Sequence, residues 1–334
     1  MKVLLYSEGQ NIIKNSGIGK TREHQLKALR MYGIDVTFHP NEPHDIVHIN
    51  TTGPRSRHLA RKSRQSGTPV VYHAHSTEED FRNSFIGSNF FSSSVKKWLI
   101  SCYTSGNVII TPTPYSKKLL ENYGIQTPIY TVSNGVDLEF FRPSAEKKDA
   151  FRKQFGFTHK DKVILGVGLY IERKGILDFV EMSKRLPQYQ FIWFGHTPLY
   201  SIPAKIRRIV RAKYQNLSFP GYVDSKVLST AYCGADLFWF PTFEETEGIV
   251  LLEAMAAKQN VLVRNIPIYA GWMKNGKDVY KGNSCREFEQ KIVGILENKL
   301  PDLTEQAYAL VNEKSIANVG KQLKNIYISL LHKY

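Results

Sequence analysis

Short runs of apolar residues alternate with longer stretches in which apolar positions recur at helical spacing, and this rhythm occupies nearly the whole chain. Val3–Tyr6, Ile46–Ile49, Val70–His73, Val108–Thr111 and Ile129–Ser133 are short and apolar, the pattern of strands buried on both faces. Each precedes a polar or helix-patterned segment. The rhythm restarts at Val163–Val167 and continues through Phe191–Phe194, Leu217–Phe219, Leu237–Phe240 and Val261–Val263. Alternating strand and helix predict an α/β chain with doubly wound parallel sheets, and the restart predicts two of them. The charged stretch Ala145–Phe155 is expected to be a linker helix. A last amphipathic pattern, Val319–Leu331, follows the end of the second sheet and is expected to cross back to the first lobe. The predicted domains are therefore 1–144 with 316–334, and 145–315. Ligands of such sheets bind beyond the carboxyl ends of the strands, so chemistry is sought in the loops there.

The 334 residues exceed what one hydrophobic core usually serves. A formal charge of +15 points to an anionic partner: nucleic acid, acidic lipid or a phosphorylated substrate. The excess is shared by both halves, so it is not a basic tail. Cys102, Cys233 and Cys285 lie far apart without metal-site or redox spacing, which is the pattern of reduced thiols. No signal-peptide pattern opens the sequence and no apolar stretch is long enough to span a bilayer. A cytoplasmic protein, free to sit on the inner face of a membrane, is expected.

Candidate chemistry concentrates between Glu245 and Glu253. Gly248 frees the backbone to turn after a strand, and a helix opening at Ile249 would offer N–H groups and the positive end of its dipole to a phosphate. Glu245 stands before that helix and Glu253 inside it, placed to hold hydroxyls at two points along one molecule. That molecule would carry both phosphate and sugar. Elsewhere, Arg173 and Lys174 follow the first strand of the second lobe, where two cations suit a diphosphate. Gly168 and Gly175 bracket them, read here as room for a ligand. Val70–Ser76 ends a strand with His73 and His75, which are read as alternating across its faces so that only one reaches the cleft. His-x-His also suggests a metal, but no third ligand with compatible spacing is evident.

Taken in order, Gly17-Ile18-Gly19, Val132–Asp137, Gly168 with Arg173-Lys174-Gly175, and Ala235-Asp236 through Pro241 to Glu253-Ala254-Met255 resemble family-4 glycosyltransferases over nearly the whole chain. The resemblance implies the GT-B fold, two Rossmann-like domains facing a central cleft. It also implies a retaining transferase that uses a nucleotide-sugar donor. By resemblance Glu253 binds the ribose, Glu245 the donor sugar, Arg173 and Lys174 the leaving diphosphate, and His75 is the active-site histidine. Gly17, Gly19, Gly168, Glu247, Gly248 and Ile249 join the donor site. Glu247 departs from the family, which commonly has an aromatic residue there, so Glu244 and Glu247 compete with Glu245 for the sugar. The chain contains no Asp-x-Asp, so no divalent metal or other cofactor is expected. Front-side displacement, the departing phosphate taking the incoming hydroxyl's proton, is the implied mechanism.

The acceptor is argued from charge. Ile202, Ile206, Ile209 and Val210 recur at helical spacing among Lys205, Arg207, Arg208, Arg211 and Lys213, a basic amphipathic pattern suited to an anionic bilayer. Phe90–Ile100, with Lys96, Lys97 and Trp98, is a second candidate, and Arg55–Arg64 is basic but hardly apolar. The same patterns describe ordinary surface helices. The segment His73–Phe85 and the Glu244–Gly248 loop are similar to those of bacterial synthases that add a second hexose to monoglucosyl-diacylglycerol. This implies UDP-galactose or UDP-glucose as donor and a glycosyl-diacylglycerol acceptor at the membrane. The competing readings are a transferase for capsular or other soluble glycan and a sugar-nucleotide epimerase. No nucleic-acid reading module is recognisable.

Overall fold

The computed structural model describes residues 1–9 and 16–333. Internal contacts divide the chain into two units: Met1–Phe81 with Phe90–Val136 and the residues from Lys314 onward, and Arg82–Asn89 with Asp137–Glu313. The boundaries differ from the expected 144/145 and 315/316. Val136 donates its N–H to the Lys314 carbonyl, at 3.1 Å, and its carbonyl accepts from Ile316, so exit and return of the chain are pinned together at these residues.

In the first unit, β1 (Lys2–Tyr6), β2 (Asp35–Thr37), β3 (Ile46–Ile49), β4 (Val70–His73), β5 (Val108–Thr111) and β6 (Ile129–Thr131) form one parallel sheet. Its order is β2-β1-β3-β4-β5-β6. The helices here are α1 (Gly17–Met31), α2 (Pro54–Gln65), α3 (Glu78–Phe81), α4 (Ser88–Tyr103) and α5 (Pro114–Asn122). Successive strand residues serve opposite faces: Val3, Val71 and Ile110 join one apolar cluster, Leu4, Tyr72 and Ile109 another.

The second unit repeats the plan. It contains β7 (Val163–Val167), β8 (Gln190–Phe194), β9 (Leu217–Gly221), β10 (Leu237–Phe240), β11 (Val261–Arg264) and β12 (Tyr280–Gly282), all parallel, in the order β12-β11-β10-β7-β8-β9. Its helices are α6 (Ala145–Phe155), α7 (Ile176–Arg185), α8 (Ala204–Arg211), α9 (Ser225–Gly234), α10 (Ile249–Ala256), α11 (Cys285–Leu296) and α12 (Thr304–Asn312). The strand order reverses direction between β7 and β10. Loops diverge there and leave a crevice beyond the strand ends.

Every expected strand is present. The two that were not expected, β2 and β12, are three-residue edge strands, too short and too polar to register as apolar runs. Helix α6 corrects the linker expectation. It packs on α9 so closely that a Cβ on Gly234 would come within 2.4 Å of the Phe151 ring, and Arg152 pairs with Asp236 at 2.8 Å. The returning helix, α13 (Ile316–Leu331), lies against α1, where a Cβ on Gly320 would stand 2.6 Å from the Ala28 carbonyl oxygen.

Candidate active site

The loops leaving β7 and β10 at the switch point are fastened to each other. After Gly168 the chain makes a single 3₁₀ turn, Glu172–Lys174, and leaves it through Gly175 at φ 78°. A Cβ on Gly175 would lie 2.4 Å from the Pro241 carbonyl oxygen, so glycine is required twice over, by conformation and by space. Phe243 then donates its N–H to the Arg173 carbonyl at 2.8 Å, and Arg173 Nη1 donates to the Glu244 carbonyl at 2.6 Å. Arg173 Nε adds a bond to Ser84 Oγ at 3.0 Å. The glycines thus make room for the protein itself, contrary to the expected ligand space. Above Gly168 lies the Lys174 stem, 3.3 Å from where its Cβ would be.

Lys174 Nζ forms a short ion pair with Glu245 Oε1, with Arg173 Nη1 3.9 Å from the same oxygen and Thr242 Oγ1 donating to it at 2.9 Å. All three charged side chains are nearly closed off, Arg173 at 11%, Lys174 at 14% and Glu245 at 9% exposure. Burial pushes the Glu245 carboxyl up. Lys174, Arg173 and the hydrogen bonds from Lys174 and Thr242 outweigh it and hold the group below its ordinary value, so it stays ionised.

The acids sort themselves by position. Glu245 pairs with the Lys174 amine, Glu244 is half-buried, and Glu247 is fully buried. Gly248, at φ 86°, opens α10 with no side chain capping it, leaving the Ile249 end of the helix to an anion. Glu253 lies inside that helix at 3% exposure, its Oε2 accepting from Tyr232 at 3.1 Å. Arg264, at the end of β11, braces the loop from behind. It donates to the Pro241 carbonyl at 3.0 Å, pairs with Asp178 and stacks 3.8 Å from the Phe243 ring centre.

Thr242, Tyr232, Ser84 and Arg264 escaped the sequence reading because none belongs to a charged or glycine-marked motif. Gly195, which closes the run Gln190–Phe194, does carry a local signal of this kind. A Cβ on Gly195 would stand 1.8 Å from the Gly168 carbonyl oxygen.

In the first unit, His73 and His75 do not alternate across the strand. Residues two apart share a face, and their rings stack with centroids 4.1 Å apart and planes 4° from parallel. His73 is buried and His75 half-buried, its Nε2 bonded to Asn50 Oδ1 at 2.8 Å. Burial holds the His75 imidazole down at about 3, so the ring is neutral. Gly17 and Gly19 open α1, where Ser16 Oγ accepts from the Gly19 N–H at 3.4 Å. Asn134 of the Val132–Asp137 motif is bonded by Thr21 Oγ1 at 3.1 Å from that same helix.

The basic helix α8 spends its apolar stripe on the core. Ile202 and Ile206 are each 1% exposed, and Ile209 and Val210 pack beside them. No apolar face remains there for a bilayer, although Lys205, Arg208 and Arg211 are exposed and Arg207 is half-buried. On α4, Lys96 pairs with Glu78 at 3.5 Å, and the Trp98 indole donates to the Thr52 carbonyl at 2.6 Å, while Lys97 is exposed. Among the described residues no group of three or more His, Cys, Asp or Glu is placed to hold a metal ion. No described helix is long and apolar enough to cross a membrane.

Two parallel sheets of this plan, with a paired basic site at the switch point of the second, define a glycosyltransferase of GT-B architecture once set beside known proteins. The description "Glycosyltransferase Family 4" matches residues 27–140, and "Glycosyl transferases group 1" matches residues 147–310. The chain is 40% identical to the processive diacylglycerol alpha-glucosyltransferase of Acholeplasma laidlawii, over 98% of each chain. It is 25% identical to the alpha-galactosylglucosyldiacylglycerol synthase of Streptococcus pneumoniae, over 81% of this chain and 74% of that one. The chain belongs to glycosyltransferase family 4. Its fold is shared with Anabaena HepE, solved in complex with UDP-glucose, at TM-score 0.76 and 16% identity, covering 98% of this chain and 100% of that one. Sucrose-phosphate synthase of Thermosynechococcus elongatus is similar at TM-score 0.79 and 18% identity, covering 100% of each.

Proposed function

We propose that this glycosyltransferase moves glucose from UDP-glucose to a diacylglycerol-based acceptor with retention of configuration. The observation that carries the chemistry is the Arg173–Lys174–Glu245 cluster at the switch point, two cations fastened to the loop that leads into an uncapped helix start. Near full-length likeness to a diacylglycerol glucosyltransferase supports the acceptor and favours glucose over the galactose of the more distant synthase. The α linkage in that relative's name matches the α linkage of UDP-glucose itself, which favours retention.

In this reading Lys174, Arg173 and the N–H groups at Ile249 take the diphosphate and stabilise it as it leaves. Glu245, already held beside Lys174, turns toward the hexose hydroxyls, and Glu253 meets the ribose after exchanging its bond to Tyr232. His75 contacts a sugar hydroxyl. The cations do the work a divalent ion would do, so transfer proceeds without one. Incubation of the purified protein with UDP-glucose or UDP-galactose and with diacylglycerol or glucosyl-diacylglycerol, with and without EDTA, tests all of this. Glucosylated lipid is expected in the UDP-glucose arms, with and without EDTA alike. Transfer of galactose only, a strict need for magnesium or manganese, or donor isomerised without acceptor would each replace the reading.

The lipid acceptor implies contact with a bilayer, and the segment Phe85–Phe91 supports one better than α8. Phe85 is 42% exposed, Ile86 67%, Phe90 84% and Phe91 56%, a density of bare apolar side chains that a water-facing surface rarely carries. Lys97 follows on the same helix, in keeping with an anionic inner membrane face.

A further inference from the structure

Three histidines from two neighbouring strand ends, His48, His73 and His75, join one hydrogen-bonded chain inside the first unit. Tyr327, on the returning helix α13, bonds His48 Nδ1 at 2.5 Å, and His48 Nε2 lies 3.2 Å from His73 Nδ1. Gln25 Nε2 reaches the same His73 nitrogen at 2.8 Å. Asn50 Nδ2 donates to Gln25 Oε1 at 2.8 Å, and His75 Nε2 closes the chain on Asn50 Oδ1 at 2.8 Å. The rings of His48 and His73 stack at 5.4 Å. His48, His73, Gln25 and Asn50 are buried; His75 is the member that is half open.

The direction of the donors follows from counting protons. A neutral imidazole has one N–H and one lone pair, so each ring passes the polarity of its neighbour onward. Run one way, the Tyr327 O–H donates to His48, and His48 and Gln25 both donate to His73 Nδ1. Asn50 then donates to Gln25, and His75 to Asn50. Among the described residues, the buried polar atom of this network left without a partner is His73 Nε2. Run the other way, that nitrogen is still unpartnered and the Tyr327 hydroxyl hydrogen loses its acceptor as well. Each direction leaves one buried donor unmet, the His73 Nε2–H in the first and the Tyr327 O–H in the second, but the second also strands the His73 Nε2 lone pair, so the first direction prevails. Burial supports it by keeping the rings uncharged: His48 is held down at about 3 by desolvation and by His75, and His73 lies well below the ordinary value.

We propose that Tyr327, His48, His73, Gln25 and Asn50 are positioning residues that hold His75 as the tautomer protonated at Nε2, so that its Nδ1 serves as a hydrogen-bond acceptor for a sugar hydroxyl. This rests on the reading of His75 as a sugar contact and adds what that contact selects. A hydroxyl can donate to Nδ1; a fluorine or an ether in its place cannot. The recognised position therefore distinguishes donors from mere acceptors, and the residue that sets this rule sits at the far end of the chain.

The test begins with the unaltered protein labelled with ¹⁵N-histidine. Long-range ¹H–¹⁵N correlation at neutral pH should show His75, assigned by its loss in His75→Ala, with the proton on Nε2. A proton on Nδ1, a mixture of tautomers or a charged ring overturns the proposal whatever the activity. Asn50→Leu and Tyr327→Phe should each mix the His75 tautomers and lower kcat by about tenfold, the order expected for loss of an outer orienting group, with KM for UDP-glucose within about twofold. A single Nε2–H tautomer persisting in both variants also overturns it. Full activity of His75→Ala would instead sink the placement of His75 at the sugar, and the tautomer measurement separates the two failures.

Discussion

The two units bury their polar candidate groups in opposite ways. In the second, the cationic side chains of Lys174 and Arg173 are compensated by Glu245, an ionised acid held between them and Thr242. In the first, His48, His73 and His75 are stripped of charge and compensated by one another. A charged cluster costs desolvation but is primed for an anionic ligand, which can take over the cations' pairing. The neutral chain needs no counter-ion and fixes direction instead of attracting charge. The contrast suits a diphosphate at the charged cluster and uncharged hydroxyls at the neutral chain.

Acid should break the comparison most visibly. A histidine whose folded-state value lies below its unfolded one contributes stability that is complete above about pH 6.5 and is lost as pH falls from there toward the folded value. His48, held at about 3, should therefore cost about 2 kcal/mol by pH 5, with His73 and His75 adding in the same direction. Glu245, held below its ordinary value, loses its contribution only as pH falls through the carboxylate range. Thermal melts from pH 8 to pH 4 should show destabilisation starting near pH 6.5, and His48→Asn should flatten the first part of that slope. An unchanged melting temperature down to pH 5 would mean the chain is not neutral.

Next in size, Lys174→Ala should lower kcat by about 100-fold, the loss of one preorganised charge at a leaving group. It also leaves Glu245 buried with only the more distant Arg173, so a stability loss of up to about 3 kcal/mol is expected with it. The pair Lys174→Met with Glu245→Gln should restore the melting temperature without restoring activity. Recovery of both would assign the cluster to folding alone.

Gly175→Ala tests the fastening between the β7 and β10 loops. Its positive φ and the Pro241 carbonyl in its way predict destabilisation of about 1–3 kcal/mol, read by urea denaturation, with UDP-glucose affinity falling as well. Equal donor affinity would show that the loops find their arrangement without the glycine.

The smallest effects are expected at the surface. Phe90→Ser with Phe91→Ser should reduce binding to anionic vesicles by about tenfold, because two exposed rings leave the interface. Lys205, Arg207, Arg208 and Arg211 replaced together by Ser should change it less, and chiefly at low salt, since α8 offers charge without a free apolar face. A larger loss from the α8 set would return the membrane contact to that helix.

Much of the fold was legible because buried parallel strands write themselves as continuous apolar runs; Val163–Val167 and Leu237–Phe240 could hardly be anything else. The glycines around Arg173-Lys174 and the Glu245–Glu253 spacing likewise stood out, since turns and strand ends leave local marks. His73 and His75 share a face because the pleat sets residues two apart on one side, and α6 hides its buried side, Phe151 and Arg152, among charged neighbours.

From its own order of residues the chain determined two doubly wound sheets, a returning C-terminal helix and a basic pair at a strand end, because each depends on periodicity or on neighbours within a few positions. Folding alone decided which acid meets Lys174, since Glu244, Glu245 and Glu247 differ only in where the loop points them. It alone brought Gln25, His48, Asn50, His73, His75 and Tyr327 into one network, contacts that no local pattern encodes. It alone decided that the stripe of α8 faces the core, for an amphipathic helix has the same sequence whether its apolar side meets protein or lipid.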